Sequence, residues 1–121
     1  MGALTGRRIL VVEDEALLAL DLQQLLDQRG AEVIGPAGSV SQALEAINEN
    51  HIDCALLDVK LGDETADAVA VALEQRAIPT VFVTACGDGN LPPGFETRPV
   101  IEKPYTEEQL FKLIGRIFDQ T

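Results

Sequence analysis

Five polar residues of this chain stand at the ends of apolar runs. Glu13 and Asp14 follow "RILVV" (8–12), Asp58 ends "CALLD" (54–58), Thr84 ends "TVFVT" (80–84) and Lys103 ends "PVIEK" (99–103). Singly, each has an ordinary reading. Acids at 13–15 suit the positive N-terminal end of a following helix. Asp58 suits a turn, threonine is a common strand residue, and a lysine is usually solvated. Together they are three carboxylates, one hydroxyl and one ammonium, a set that chance rarely assembles. Carboxylates converging in one cleft are unstable without a cation. Hard oxygen donors with open positions suit Mg2+, which keeps waters and favours phosphate oxygens. One such ion, Lys103 and the three carboxylates sum to a roughly neutral formal charge. An anionic phosphoryl group would then be neutralised by the ion and Lys103, with the Thr84 hydroxyl donating to one oxygen.

These residues can meet only if the runs lie side by side. The four runs, with "EVIG" (32–35), are short, β-branched and almost continuously apolar, as strands buried on both faces should be. Amphipathic stretches separate them. Leu18, Leu22, Leu25 and Leu26 share a helical face that stops near Gly30, a good residue just past a helix end. Val40, Ala43, Leu44 and Ile47 repeat the helical spacing behind a capping box of Ser39 and Gln42. Ala66, Val69, Ala70 and Leu73 do so again, as do Leu110, Leu113, Ile114 and Ile117 behind Thr106 and Gln109. The fourth crossover, "ACGDGNLPPGFETR" (85–98), breaks the pattern with three glycines and two adjacent prolines, so it reads as a loop of low local stability. Repeated βα units predict a parallel sheet covered on both faces. In such sheets ligands bind beyond the carboxyl ends of the strands, where all five polar residues fall.

The 121 residues fit one domain with a core at about 7–119. The formal net charge of −11 opposes direct binding to nucleic acid or anionic membranes. No apolar run approaches the roughly 20 residues of a membrane helix, and the first ten residues hold no apolar signal-peptide core. A cytoplasmic location is expected. Cys54 and Cys86 are 32 residues apart and form no CxxC pair. They read as buried small hydrophobes, with a redox role left open for Cys86 in its polar segment. His51, the only histidine, reads as a polar turn residue before the third strand.

The ordered set "VVEDE", "LLDV", "VFVTA" and "EKPY" resembles a response-regulator receiver domain of two-component signalling. The spacings also resemble that family: 44 residues from Asp14 to Asp58, 26 more to Thr84 and 19 more to Lys103. The resemblance covers nearly the whole chain. It implies a flavodoxin-like, doubly wound five-stranded parallel sheet in the order 2-1-3-4-5, here with a shortened or missing fourth helix. It implies that Asp58 accepts a phosphoryl group from a histidine kinase or phosphotransfer protein. Asp14 and Asp58 would bind Mg2+ directly, Glu13 largely through water, and the Lys60 backbone carbonyl would be a further ligand. Thr84 and Lys103 would hold the phosphoryl oxygens. Such a domain is a switch, assisting only its own phosphorylation and dephosphorylation. A cis peptide at Lys103–Pro104 is expected as well, since X-Pro bonds have little trans preference.

Two features depart from the family pattern. The position three before the lysine, usually an aromatic switch residue, is Val100. The fourth helix is interrupted. Both are similar to single-domain receivers with a Phe-Ala-Thr-Gly run, which "FVTA" (82–85) matches in part and which implies kinases of the HWE and related families. Without the aromatic, the loop 85–98 is the element expected to respond to phosphorylation, with Tyr105 the nearest aromatic. A receiver segment of a hybrid histidine kinase is an alternative of the same chemistry. A haloacid-dehalogenase-type phosphatase or phosphotransferase also uses an Asp nucleophile, Mg2+, a hydroxyl and a Lys. Its DxD pattern follows the first strand, whereas Asp58 follows the third and Lys60 stands two positions on. A degenerate receiver that binds without phosphate fits poorly with the complete residue set.

Overall fold

The structure, a computed structural model, describes residues 4–85 and 91–119. β1 (Arg8–Val12) leads into α1 (Ala16–Gln28), β2 (Glu32–Ala37), α2 (Val40–Glu49) and β3 (Cys54–Asp58). A small hairpin of β4 (Lys60–Leu61) and β5 (Glu64–Thr65) precedes α3 (Asp67–Gln75) and β6 (Thr80–Thr84). β7 (Val100–Glu102) and α4 (Glu107–Phe118) complete the chain. The main sheet has five strands in the order β2-β1-β3-β6-β7, and every pair is parallel. Numbered within the sheet alone, that is the expected 2-1-3-4-5. Among the described residues no helix lies between β6 and β7.

Apolar residues on both faces of the strands force a helical cover on each side. Leu10, Val12, Leu57 and Phe82 face a core closed by Ala43 and Ile47 of α2 and by Val69 and Leu73 of α3. Ile9, Val11, Leu56 and Val81 face the other core, closed by Leu22 and Leu26 of α1 and by Leu110 and Ile114 of α4. Burial follows the helical spacing, with Leu18, Leu25, Val40, Leu44, Leu113 and Ile117 only half-buried at the margins.

Local signals hold with two adjustments. Thr106 and Gln109 form the full reciprocal box at α4. At α2, Ser39 caps the Gln42 N–H at 3.2 Å, but the Gln42 side chain reaches past Ser39 and accepts from Gly38 N at 2.8 Å. β2 runs two residues beyond Gly35, through a cis Gly35–Pro36 bond, and β7 is shorter than the run 99–103. The Lys103–Pro104 bond is cis, as expected.

The described part of 85–98 makes tertiary contacts that its glycines and prolines did not announce. Phe95 is buried and meets the Phe82 ring edge-on at 5.8 Å between centroids. Arg98 lies over the Phe95 ring and pairs with Glu74 of α3. Leu91 and Phe95 supply apolar contacts to the α2–α3 core. Cys86 lies outside the described residues. Cys54 is fully buried, and that burial pushes its thiol up to about 12, which leaves it inert at neutral pH.

Candidate functional site

The register of the sheet decides which acids meet. Val12 stands beside Leu57, so Glu13 and Asp58 leave the ends of adjacent strands together. Glu13 is fixed by its own N–H, which donates to Ala37 O at 2.9 Å. Its carboxylate Oε2 accepts from Glu15 N at 3.0 Å as the chain enters α1. On the far side of β3, β6 and β7 bring in the base. Lys103 N donates to Thr84 O at 2.7 Å, extending the ladder by one residue. The Lys103 Nζ then reaches Asp58 Oδ2 at 2.8 Å and Glu13 Oε1 at 3.0 Å.

Asp14 arrives differently. Its Oδ2 accepts from Gly62 N at 2.9 Å. Gly62 and Asp63 form the two-residue turn of the β4–β5 hairpin, where Leu61 pairs with Glu64 and Gly62 adopts φ +60°. That hairpin was missed in the sequence, although a Gly-Asp pair between short β-compatible runs is a recognised turn signal. One carboxylate oxygen each from Glu13, Asp14 and Asp58 lies within 4.8 Å of the others. They line an open cleft of about 250 Å3 together with Lys60, Ala85 and Lys103. Glu13 and Asp58 are buried, Asp14 is exposed and Lys103 is half-buried.

The atom of Lys60 that reaches the acid is its N–H, which donates to Asp58 Oδ1 at 3.2 Å. Thr84 ends β6 as expected, but Ala85, the next residue, is the one that lines the cleft. Tyr105 is half-buried and borders a neighbouring cavity of about 380 Å3 with Leu18, Asp21, Lys103 and Pro104. His51 sits exposed in the turn before β3, its Nε2 2.9 Å from Asp53 Oδ1.

The electrostatics follow from burial and crowding. Burial holds the Glu13 carboxyl above its usual range, and the charge of Asp58 pushes the same way. The Glu15 N–H and Lys103 offset only part of that rise. For Lys103, burial alone would lower the ammonium, but hydrogen bonds to Asp58 and Glu13 outweigh it and the net direction is upward. Burial, then the Glu13 charge, pushes the Tyr105 phenol up to about 12. One firmly protonated lysine therefore faces a carboxylate excess. The donor set is oxygen only, from three acids with one exposed flank, which fits a hard divalent cation that keeps part of its water.

Comparison with known proteins gives the family and agrees with the fold. The response regulator receiver domain family matches residues 9–115, and the chain belongs to that family. SdrG from Sphingomonas melonis Fr1 superposes with a TM-score of 0.82 at 39% identity, covering 97% of this chain and 98% of that one. The receiver domain of PhyR from Erythrobacter litoralis superposes with a TM-score of 0.80 at 28% identity, covering 99% and 95%. Among curated sequences, the transcriptional regulatory protein PdtaR of Mycobacterium tuberculosis is 34% identical over 74% of this chain and 44% of its own length. This chain thus spans under half the length of such relatives. The family is a signalling domain of two-component systems, and the dehalogenase-type alternative is not favoured. No helix among the described residues is long and apolar enough to cross a membrane.

Proposed function

We propose that the chain is a phosphoacceptor switch in which Asp58 takes a phosphoryl group from a histidine kinase or phosphotransfer protein. Residues 7–119 form the receiver unit in this reading. The observation that carries it is the Lys103 ammonium bridging Asp58 and Glu13 at the mouth of an acidic cleft, in a chain of the receiver family.

In the transfer, an Asp58 carboxylate oxygen bonds to phosphorus as the donor's bond to phosphorus breaks. The leaving group departs with that electron pair. Positioning and charge stabilisation do most of the work in such transfers. Asp58 is held for attack by the Lys60 N–H on one oxygen and Lys103 on the other. As phosphorus takes on the new oxygen, Lys103 shifts its pairing from carboxylate to phosphoryl oxygen. Thr84 donates its hydroxyl to another. Asp14 and Asp58, with Glu13 through water and the Lys60 carbonyl, would hold Mg2+. Bound there, the ion supplies positive charge to the phosphoryl oxygens.

Intact-mass analysis tests this directly. With a small phosphodonor and Mg2+, the protein gains one phosphoryl group, and Asp58→Asn gains none. An adduct that persists in Asp58→Asn on another native residue overturns the assignment. Turnover of a generic phosphate ester would instead revive the phosphatase reading.

A further inference from the structure

Asp14 is the exposed member of the three cleft acids, and an exposed aspartate turns freely unless something holds it. What holds it comes from another element. Its Oδ2 accepts from Gly62 N, so one oxygen is fixed by that bond and the other is left for a ligand. The turn that presents this N–H is firmly built. Leu61 beside it is buried in the α2–α3 core. Ala66 N donates to Val59 O at 3.1 Å and closes the base of the hairpin.

The returning arm of the hairpin reaches α2. The Glu64 carboxylate Oε1 accepts from Val40 N at 3.3 Å, a backbone donor that a helix start leaves without an internal partner. The neighbouring donors are taken locally, Gln42 N by Ser39 and Gly38 N by the Gln42 side chain. The lead-in to α2 touches Asp14 in turn, since a Cβ built on Gly38 would lie 3.8 Å from the Asp14 Cα. Asp14, the hairpin and the start of α2 thus form a closed ring of contacts. By charge alone Glu64 is out of place there, because it adds an acid beside Asp14, Glu15 and Asp63, all exposed. The positive end of α2 offsets that repulsion.

We propose that Glu64 is a positioning residue for the metal ligand Asp14. By bonding the first N–H of α2 it pins the hairpin, and the pinned hairpin keeps the Gly62 N–H aimed at Asp14. Glu64 itself is not among the residues that line the cleft. The inference rests on the Mg2+ reading of that cleft given above. It also has a reciprocal side. If the pinned hairpin favours the ion, a bound ion favours the pinned hairpin by the same factor. The first turn of α2 therefore senses whether the cleft is occupied.

The test titrates the full, unphosphorylated chain with Mg2+ and follows its amides by NMR, so no phosphoryl transfer is needed. The Gly62 and Val40 amides should shift with one common Kd. Groups that orient metal ligands from outside are typically worth about 10–100-fold in affinity, and Glu64 acts one bond further out, so Glu64→Ala should weaken Mg2+ by about three- to tenfold. It should also remove the Val40 shift. Glu64→Gln keeps an oxygen acceptor and should restore most of the affinity. Asp63→Asn removes one charge from the same turn without touching these bonds, and should change the Kd by no more than about twofold. Weakening of equal size in Glu64→Gln or Asp63→Asn would make the effect one of charge and overturn the positioning role. So would an unchanged Kd in Glu64→Ala while the wild type still binds, an outcome that leaves the metal reading intact. A wild type whose Asp14 and Asp58 amides ignore Mg2+ overturns both.

Discussion

The two ends of the central sheet use the same kinds of residue to opposite effect. At the amino end each guanidinium nitrogen of Arg8 has a partner. Its guanidinium meets Glu32 at 2.6 Å, the His51 carbonyl at 2.7 Å and Asn50 Oδ1 at 3.3 Å, and its backbone N–H donates to Asp53 at 2.8 Å. Burial would raise the Asp53 carboxyl, but the Arg8 N–H and His51 outweigh it and hold it below its usual range. At the carboxyl end the balance reverses: Glu13 is held up, chiefly by burial, and shares one lysine with Asp58. A charge network made for folding supplies each acid with its own donor. At the carboxyl end the acids are left short of positive charge, which is the imbalance that the proposed cation would offset.

Removing the shared base should have the largest effect. Lys103→Met leaves two buried carboxylates facing each other. Breaking a buried ion pair costs about 3–5 kcal/mol, and the half-open cleft lowers this to about 2–3 kcal/mol. Urea unfolding at neutral pH measures it. A loss under about 1 kcal/mol would mean the acids are already relaxed by solvent.

Magnesium sharpens the comparison next. A cation bound only by the folded state stabilises it by about 1.4 kcal/mol at tenfold over its Kd. Melting should rise with millimolar Mg2+, and the rise should shrink in Asp14→Ala. Asp53→Asn, at the other end, should leave the Mg2+ response whole. A flat Mg2+ titration of the wild type would remove the metal site from the account.

At the amino end, Asp53→Asn should cost about 1 kcal/mol at neutral pH, the worth of its hydrogen bonds. The pH dependence carries a definite sign. Because the folded carboxyl is depressed, its contribution is present above the unfolded value near 3.8 and is lost as pH falls through the folded one. The variant should therefore lose less stability than the wild type on acidification. Parallel acid limbs for the two proteins would contradict the depressed pKa.

The sequence carried this contrast unevenly. The bounds of β1, β3 and β6 were legible because both faces are buried and the apolar runs are unbroken. The acids and Lys103 were legible because they sit where those runs stop. The β4–β5 hairpin was not, since two-residue strands have no periodicity, and with it went the Gly62 N–H that holds Asp14. Phe95 was hidden by its glycines and prolines: composition described a loose segment, while one aromatic was enough to tie it to Phe82. Thr84 was placed correctly in the strand, but which side chain borders the cleft depended on the exit of the chain, which no spacing encodes.

The smallest effect tests whether the amino end is as relaxed as its charges suggest. α1 and α3 both finish there with the same pair of bonds. Ala31 N donates to Leu26 O and Gly30 N to Asp27 O after α1. Ile78 N donates to Leu73 O and Ala77 N to Glu74 O after α3. The motif requires a left-handed residue. Gly30 supplies it at φ +87°, in contact with Thr5, whose Cα lies 3.2 Å from where a Cβ would sit. Ala77 adopts φ +57° with a side chain, a conformation that disfavours non-glycine residues by roughly 1–2 kcal/mol. Glycine relieves that strain but frees the unfolded chain, which offsets about 0.4–1 kcal/mol. Ala77→Gly should thus stabilise the protein by about 0.5 kcal/mol, whereas Gly30→Ala destabilises it. Paired thermal and urea unfolding resolves a difference of that size. If Ala77→Gly proves destabilising, the left-handed alanine is already accommodated by its surroundings.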